Sequence, residues 1–474
     1  MTKLCLVNPP ITMAQRYGPL SCAGSLLPPL NIALLAAVAR EAGHEVSLLD
    51  AEAMRWSVGE TVERVLALSP DLLGVTATTT SVVAAGTLLE EVRRREPGIR
   101  TCLGGVHVSS RAAETMARFP SVDICAVGEA EVSLLELLGA VASGEDAAQV
   151  PGLVVRRGTE LIQSGRRPPL TAEELNRLPW PAWDLLPDLA RTYRPAMHSF
   201  RRLPCTSLVT SRGCPGRCTF CDRTVSGTSV RGFSADYLLG MVRHLVERYG
   251  IREIIFHDDN FVTLRSRLVE FCGRLIDEGP RLSWSCTARI DMVSPETLTL
   301  MRRAGCWQIA YGIESGSQAI LDAVHKGISL EQIRRAVAWT VEAGIEPRGF
   351  FVIGLPGETR ETLRQTREFL MSLPLGDFQM SIFAPHPGTE VTAGLHGLTG
   401  GASQWERGGG WLVTYIPEGL TGADLLATQR QCMRDFYLRP GTVLRYARRL
   451  AGAPGAWVPL CRAAAQLARN RVQA

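Results

Sequence analysis

Short apolar runs alternate with amphipathic stretches along the first 150 positions of the chain. Five runs rich in leucine and β-branched residues predict strands: "KLCLVNPP", "EVSLLDAE", "DLLGVTATTT", "RTCLGGVHVSS" and "VDICAVGEA". The stretch "NIALLAAVAREAG" has helical spacing, with Asn31 as its expected N-cap and Gly43 at its C-terminal end. Further helices are expected near 60–68, 82–95, 111–118 and 130–142. This alternation predicts an α/β fold over residues 1–150, a doubly wound, Rossmann-like parallel sheet.

The same alternation returns over residues 205–390, after a proline-rich segment at 151–204 that is expected to be a linker without a core of its own. Strands are predicted at 206–211, 253–258, 283–289, 307–313, 348–354 and 378–384. Helices are predicted at 235–249, 262–278, 294–304, 317–324, 330–343 and 359–373. Six such units predict a partial (β/α)6 barrel, with its site at the C-terminal strand ends. Residues 391–474 predict a mixed, mainly helical tail that ends in the basic stretch "VPLCRAAAQLARNRV".

The composition of the chain limits the kinds of molecule that it is expected to bind. The chain has 474 residues, too many for one ordinary core, and 51 basic against 47 acidic residues give a net charge of +4. This balance predicts no nucleic-acid partner. No apolar run reaches the roughly 18 residues of a membrane span, and the N-terminus predicts a strand rather than a signal peptide. We therefore expect a cytoplasmic protein without membrane association, in which the scattered cysteines are reduced and buried.

Three cysteines stand close together in "SRGCPGRCTFCDR", residues 211–223, directly after the first barrel strand. A structural zinc site uses four ligands, usually as two close pairs, and no second pair follows. A disulfide would leave one thiol over. Three thiolates on a four-iron cluster leave one iron free to bind a substrate. We predict that Cys214, Cys218 and Cys221 bind a [4Fe–4S] cluster at the barrel mouth, with a zinc site or a plain loop as the alternative.

The N-terminal sheet predicts a second site, because ligands bind beyond the C-terminal strand ends of such sheets. No G-x-G-x-x-G fingerprint is present, which disfavours a dinucleotide. Small residues and glycines at these ends would let a large flat ligand approach the backbone. The candidate residues are Pro10, Thr79, Gly104, Gly105, His107, Gly128 and Glu129. His107 fits a polar loop cap equally well, and the two adjacent glycines could form a simple turn.

The cysteine loop resembles that of a known family. "CPGRCTFC" is similar to the cluster-binding loop of the radical S-adenosylmethionine (SAM) enzymes, and "FHDDNF", "ARID", "YGIESGS" and "GLPGET" resemble their SAM-contacting and barrel-rim segments. "PPLNIALLAAVAREAGHEVSLLDAE", "GVTATTTS", "LGGVHVS" and "VGEAE" resemble the cobalamin-binding domain of one branch, the class B radical SAM methyltransferases. The resemblance covers about residues 1–390. It implies three cofactors, a [4Fe–4S] cluster, SAM and cobalamin, and an electron donor such as flavodoxin or ferredoxin.

The resemblance also implies roles for single residues. Phe220 would lie near the adenine of SAM. Arg289 would pair with the SAM carboxylate, or else form a structural ion pair. Glu314 would accept hydrogen bonds from the ribose hydroxyls or the SAM amino group, or else act as a carboxylate at a helix N-terminus. Apart from the resemblance, Asp258 and Asp259 close the strand "EIIFHDD" as paired carboxylates suited to acid–base chemistry or to binding hydroxyls, and Asp259 is the candidate catalytic residue. No D-x-H-x-x-G loop is present, so cobalamin is expected to lack a protein histidine ligand.

The implied reaction is methylation of an unactivated carbon, or of phosphorus, in a small biosynthetic molecule, as in antibiotic biosynthesis. It would use methylcobalamin and a 5′-deoxyadenosyl radical, with the substrate between the two domains under the linker and the tail. The alternative is a radical SAM enzyme that forms a ring, rearranges or oxidises its substrate without methyl transfer. A binding module without chemistry is disfavoured, because the open iron implies a reaction.

Overall fold

The computed structural model describes residues 1–17, 24–395, 405 and 412–451. The basic stretch at 458–472 lies outside the described residues. The strands are β1 (Lys3–Asn8), β2 (Glu45–Asp50), β3 (Leu72–Thr76), β4 (Arg100–Gly104), β5 (Ile124–Ala126), β6 (Leu153–Arg157), β7 (Glu160–Gln163), β8 (Cys205–Leu208), β9 (Ser211–Arg212), β10 (Arg231–Gly232), β11 (Glu253–Phe256), β12 (Ser283–Ala288), β13 (Cys306–Glu314), β14 (Glu346–Ile353) and β15 (Asp377–Ile382).

Helices surround both sheets, and none within the described residues is long and apolar enough to cross a membrane. They are α1 (Met13–Tyr17), α2 (Leu30–Glu41), α3 (Ala51–Met54), α4 (Val58–Leu68), α5 (Val82–Arg95), α6 (Val106–Arg118), α7 (Glu131–Ser143), α8 (Ala172–Leu175), α9 (Ala235–Tyr249), α10 (Arg265–Asp277), α11 (Pro295–Arg303), α12 (Gln318–Ala323), α13 (Leu330–Glu342), α14 (Arg360–Ser372), α15 (Glu390–Ala393), α16 (Gly422–Tyr437) and α17 (Pro440–Ala451).

The N-terminal sheet has the strand order β2-β1-β3-β4-β5-β6-β7. Its first five strands pair in parallel, as predicted. Strands β6 and β7 add an antiparallel hairpin to the β5 edge. This hairpin corrects the expected linker over residues 153–163. Leu153 and Val154 are buried, so this part of the segment contributes to the sheet's core.

Helix α2 begins differently from the prediction. Pro29 occupies the N-cap position, and Asn31 lies inside the first turn, where its amide donates to the Thr76 hydroxyl at 2.7 Å. The N-cap prediction for Asn31 is therefore wrong, because the helix already begins at Leu30 and the Asn31 side chain bonds to Thr76 instead of the helix backbone. The C-terminal end agrees with the prediction, since Gly43 has φ +85°.

The second sheet is a half-barrel of six parallel strands, in the order β15-β14-β13-β12-β11-β8. All six predicted strands and the six predicted helices are present, each within a few residues of its expected bounds. Serine or threonine side chains cap helices α9, α11, α13 and α14, which explains why these helix starts could be predicted. In the described part of the tail, α16 and α17 follow the barrel, and the Gln429 amide donates to the Met380 carbonyl of β15.

Candidate active site at the ends of two parallel sheets

The cysteine loop is closed at its base by a two-residue ladder. Strands β9 and β10 pair Ser211 with Gly232 and Arg212 with Arg231, so the intervening residues form one closed loop. Gly213 has φ +83°, and a Cβ atom there would clash with the Ser229 carbonyl oxygen. Only glycine fits this position, because other residues rarely adopt positive φ. The backbone at the first cysteine is thus fixed by the protein's own packing.

Asp258 at the end of β11 holds the start of this loop. Its carboxylate accepts hydrogen bonds from the Thr210 amide at 2.6 Å, the Thr210 hydroxyl at 2.7 Å and the Ser211 hydroxyl at 2.5 Å. Arg267 lies 3.6 Å from the same carboxylate. Asp258 and Arg267 are both buried. The first of the two paired aspartates therefore has a positioning role that the sequence did not distinguish from catalysis.

The three cysteines differ in exposure, and Asp259 lies beside one of them. Cys218 is buried, Cys214 is half-buried and Cys221 is exposed. Partial desolvation, followed by the nearby Asp259 carboxylate, raises the pKa of the Cys221 thiol to about 11. Asp259 is itself exposed. An exposed carboxylate next to the exposed cysteine remains a suitable candidate for contact with a bound substrate.

Arg289, directly after β12, lies beside the buried cysteine. Its Nη1 lies 3.9 Å from the Cys218 Sγ. Its Nε and Nη2 each lie 3.0 Å from the Asp291 carboxylate, and Nη2 also donates to the Lys326 carbonyl at 3.0 Å. A Cβ atom at position 216 would lie 3.0 Å from Nη1, so Gly216 leaves room for the guanidinium. These contacts favour the structural ion pair over the expected pairing with a SAM carboxylate.

Glu314 forms a buried ion pair that sequence reasoning missed. Lys326 Nζ lies 2.7 Å from Glu314 Oε1, and the two side chains are only 7% and 9% exposed. Burial alone would lower the pKa of Lys326, but Glu314 and the nearby Cys218 together outweigh it and the pKa is raised. Glu314 has φ +68°, an unusual backbone conformation that often marks functional sites. Helix α12 begins only at Gln318, so Glu314 is not a carboxylate at a helix N-terminus.

Phe220 packs between the cysteine loop and the helix after β13. Its half-buried ring packs against a small apolar cluster that includes Ile320, Val324 and Phe383. The Thr219 amide donates to the Val324 carbonyl, which holds this part of the loop against the end of α12. Phe220 is therefore positioned at the barrel rim beside the third cysteine, where the resemblance expects a ring near a nucleoside.

At the strand ends of the first sheet, some candidate glycines have empty space beside them and others are in contact with the protein's own backbone. Gly128 has φ +83° with nothing near its missing Cβ atom, and Gly104 has only the Ala126 Cβ atom, 3.9 Å away. At Gly105, with φ +110°, a Cβ atom would lie 2.5 Å from the Ala77 carbonyl oxygen. Glycine at position 105 is thus required by the protein's own backbone, which fits the alternative that the two adjacent glycines form a turn.

Of the remaining candidates on this edge, Pro10 and Thr79 are partly exposed, and His107 is buried. The His107 Nδ1 lies 3.2 Å from the Thr79 hydroxyl, and its Nε2 has no hydrogen-bond partner among the described residues. The ring of Trp405 packs edge-on against His107, with 4.5 Å between the centroids. Burial, followed by Arg111 and Arg118, lowers the pKa of His107 to about 4.

The neutral His107 predicts a pH-dependent loss of stability. Below pH 6.5 the unfolded chain binds a proton that the folded chain excludes until about pH 4, so the free energy of unfolding falls across this window. The expected loss between pH 7.5 and 5.5 is about 1 kcal/mol. Denaturant unfolding at both pH values gives the loss of unfolding free energy for wild-type and for His107→Gln protein. The difference between these two losses is the contribution of His107. Equal pH dependence in the two proteins would contradict a neutral buried histidine.

Glu129 does not lie open at its strand end, contrary to expectation. Its carboxylate accepts from the Leu170 amide at 2.9 Å. It also pairs with Arg231 at 2.8 Å and with Arg212 at 3.1 Å, both in the ladder below the cysteine loop. The sequence pattern gave no sign of these partners, because they lie far apart along the chain. The edge of the first sheet and the cysteine loop are therefore in direct contact.

A cavity of about 370 Å³ opens elsewhere on the first sheet. It is lined by residues 108–114 of α6, by Val127 and by residues 152–154, 163 and 165–166 around the β6–β7 hairpin. None of the predicted site residues lines it. It depends on a hairpin that the sequence analysis did not predict.

The residues around the three cysteines suit an iron–sulfur cluster rather than a single metal ion. Among the described residues, no three His, Cys, Asp or Glu side chains are grouped to hold one ion. A cluster does not need such a group, because each thiolate binds a different iron. The Arg289 guanidinium beside the Cys218 sulfur would stabilise the negative charge of thiolate ligands. Three thiols on one loop, with a cation against them, therefore fit the cluster.

Two family models match this chain, and they agree with the two sites. The radical SAM superfamily model matches residues 208–370, and the B12 binding domain model matches residues 18–138. The "Uncharacterized methyltransferase PH0819" of Pyrococcus horikoshii is 31% identical over 392 residues, which are 82% of this chain and 82% of that protein. The half-barrel with its three-cysteine loop is thus that of a radical SAM enzyme. The chain belongs to the radical SAM family that carries a B12 binding domain, the type of the cobalamin-dependent methyltransferases.

Two further relatives differ in their named reactions. The "Anaerobic magnesium-protoporphyrin IX monomethyl ester cyclase" of Rubrivivax gelatinosus is 28% identical over 371 residues, 77% of this chain and 65% of that protein. The "Cytidylyl-2-hydroxyethylphosphonate methyltransferase" of Streptomyces wedmorensis is 24% identical over 511 residues, 96% of this chain and 86% of that protein.

A solved structure confirms the fold. The radical SAM methyltransferase TsrM from Kitasatospora setae, with cobalamin and a [4Fe–4S] cluster bound, has a TM-score of 0.70 and 18% identity, covering 93% of this chain and 92% of that one. The family models confirm the three expected cofactors, a [4Fe–4S] cluster, SAM and cobalamin.

Proposed function

We propose that this protein is a cobalamin-dependent radical SAM methyltransferase that acts on an unactivated carbon, or on phosphorus, of a small biosynthetic molecule in the cytoplasm. The observation that carries the proposal is the direct contact between the strand ends of the first sheet and the cysteine loop of the second. Two cofactors held at these places would face a common substrate. The methyltransferase names of the Pyrococcus and Streptomyces relatives support the same reaction.

When bound, the cluster with SAM supplies a 5′-deoxyadenosyl radical, and cobalamin supplies a transferable methyl group. In the proposal, Cys214, Cys218 and Cys221 hold the cluster, and Phe220 contacts the adenine of SAM. The buried pair of Glu314 and Lys326 offers opposite charges to the amino and carboxylate groups of SAM.

On the other side of the proposed substrate site, cobalamin would rest on Pro10, Thr79, Gly104 and Gly128. Asp259, exposed beside the third cysteine, would contact the substrate. We propose flavodoxin or ferredoxin as the electron donor, because the cluster must be reduced before it cleaves SAM. The proposed substrate position is between the two sheets, covered by the 164–204 segment and the tail.

The Gly104→Trp variant distinguishes the two uses of SAM, as methyl donor to cobalamin and as source of the 5′-deoxyadenosyl radical. The missing Cβ atom at position 104 faces space that a flat ligand would need, so an indole there is expected to block cobalamin binding. Formation of S-adenosylhomocysteine should then fall to background, while 5′-deoxyadenosine is still produced, because the cysteine loop is untouched. Chromatography of anaerobic reactions with SAM, reductant and cobalamin measures both products.

Gly59→Trp is the matched control, since Gly59 is an exposed glycine with nothing near its missing Cβ atom. It should leave both products unchanged. Unchanged S-adenosylhomocysteine formation in Gly104→Trp would contradict cobalamin binding at this edge.

Ring formation or another radical reaction without methyl transfer is the second candidate, and the relationship to the Rubrivivax cyclase favours it. The two candidates differ in the mass of the product, which gains one methyl group only in the first. They also differ in S-adenosylhomocysteine, which only methyl transfer yields. Mass spectrometry of a converted substrate therefore distinguishes them.

A further inference from the structure

Four charged side chains form a buried cluster where the two sheets meet. Arg231 binds the Glu129 carboxylate through both terminal nitrogens, at 2.8 and 3.1 Å. Arg212 lies 3.1 Å from Glu129 and 2.5 Å from Glu131. All four side chains are at most 15% exposed. Two guanidinium groups and two carboxylates leave no net charge, and one carboxylate oxygen, Glu131 Oε2, has no hydrogen-bond partner among the described residues.

The cluster lies between the elements proposed to hold the two cofactors. Glu129 and Glu131 follow β5, directly after the open Gly128. Arg212 is two residues before Cys214, and its ladder partner Arg231 closes the other end of the cysteine loop. Every contact in the cluster therefore joins the edge of the first sheet to the base of the loop.

A second contact holds the far side of the same loop. The Ser110 hydroxyl, on α6 after the two-glycine strand end, lies 3.0 Å from the Thr224 hydroxyl and 3.5 Å from the Asp222 carboxylate. Asp222 follows Cys221 directly. A Cβ atom at Gly388 would lie 2.5 Å from the Ser110 hydroxyl, so this junction is closely packed. The cysteine loop is thus attached to the first sheet both before its first cysteine and after its third.

We propose that Glu129, Glu131, Arg212 and Arg231 act as a clamp that fixes the separation of the cluster from cobalamin. This inference rests on the proposed function, because it assumes both cofactors. Paired guanidinium and carboxylate groups add geometric specificity as well as energy, so they favour one orientation and one distance. Removing one partner leaves an uncompensated buried charge, which makes an opened clamp unfavourable. These four are positioning residues; none is proposed to touch the substrate.

Arg212→Met tests the clamp by removing two of its ion pairs while keeping an unbranched apolar side chain. Arg348→Met is the matched control, because Arg348 and Asp377 form an equally buried pair at the opposite end of the barrel strands. Pulsed electron paramagnetic resonance on holoenzyme with reduced cluster and cob(II)alamin reports the distance between the two paramagnetic centres. We expect one narrow distribution in wild type and Arg348→Met, and a broadened or shifted one in Arg212→Met.

A wild-type distribution in Arg212→Met, with both cofactors bound, would overturn the clamp. Glu129→Gln is the second variant if Arg212→Met does not fold, since glutamine keeps the shape but removes the charge and one of the two acceptor oxygens that Arg231 binds. Hydrogen exchange on the protein without cofactors gives an independent readout. Residues 126–131 and 210–232 should exchange at least tenfold faster in either clamp variant and at the wild-type rate in Arg348→Met.

The proposed function and the clamp can fail separately. If the wild-type protein binds no cobalamin, the proposed function fails, and hydrogen exchange alone decides whether the clamp exists. Equal exchange rates in wild type and clamp variants would then refute the clamp.

Discussion

Alanine at position 214, 218 or 221 is expected to abolish cluster binding and all cleavage of SAM. Each thiolate binds a separate iron, and with only two remaining ligands the cluster is not retained. Cys218 is also the buried member of the set, and its sulfur lies 3.9 Å from the Arg289 guanidinium. Anaerobically purified wild-type protein should be brown and carry about four iron and four sulfide per chain.

Each single variant is expected to lose nearly all iron and to form no 5′-deoxyadenosine. Cys272→Ala is the matched control, because Cys272 is a free, buried cysteine on α10, outside the loop. It should keep its iron content. Iron and sulfide analysis with a 5′-deoxyadenosine assay measures both effects, and a loop variant with full iron and activity would refute the cluster assignment.

Substitutions of the two neighbouring aspartates after β11 should affect different properties, stability and iron content for Asp258 and the rate of turnover for Asp259. Asp258→Ala removes three hydrogen-bond acceptor contacts and leaves Arg267 as an unpaired buried charge, which costs about 3–5 kcal/mol of unfolding free energy. Because Asp258 also holds the start of the cysteine loop, iron content should fall with stability. Denaturant unfolding and iron analysis of the variant measure the two effects.

Asp259→Asn is the comparison, since Asp259 is exposed and its replacement should change stability by no more than about 0.5 kcal/mol. Its proposed contact with substrate predicts full iron binding with a reduced rate of product formation. An Asp258→Ala protein as stable as wild type would contradict the role of that carboxylate. Normal turnover in Asp259→Asn would remove it from the catalytic residues.

The barrel could be predicted closely from the sequence because each of its features is local. Apolar runs of four to nine residues form its strands, and serines or threonines such as Ser294 and Thr359 cap the helices that follow. The cysteine loop could be recognised just as readily, since its three cysteines lie within eight positions. The β6–β7 hairpin was missed because it is short, lies at a sheet edge and stands in a proline-rich segment.

Contacts between residues that lie far apart along the chain could not be predicted from the sequence. Glu129 was predicted to face a ligand, but its partners Arg212 and Arg231 lie more than 80 positions away. Lys326 carries no pattern that marks it as the partner of Glu314. Arg289 was placed correctly at a strand end, but its binding to Asp291 depends on the local turn. Charged residues at strand ends can be predicted; the atoms that they bind depend on how the two sheets pack.

Quantifying both products of SAM in one reaction tests the central claim most directly. Reduced wild-type enzyme with SAM and cobalamin should form S-adenosylhomocysteine and 5′-deoxyadenosine, in roughly equal amounts for each methylated product when a substrate is present. Omitting cobalamin should remove the first product and leave the second. Steady formation of 5′-deoxyadenosine without any S-adenosylhomocysteine, in enzyme with cobalamin demonstrably bound, would contradict methyl transfer and favour the ring-forming or oxidative reaction.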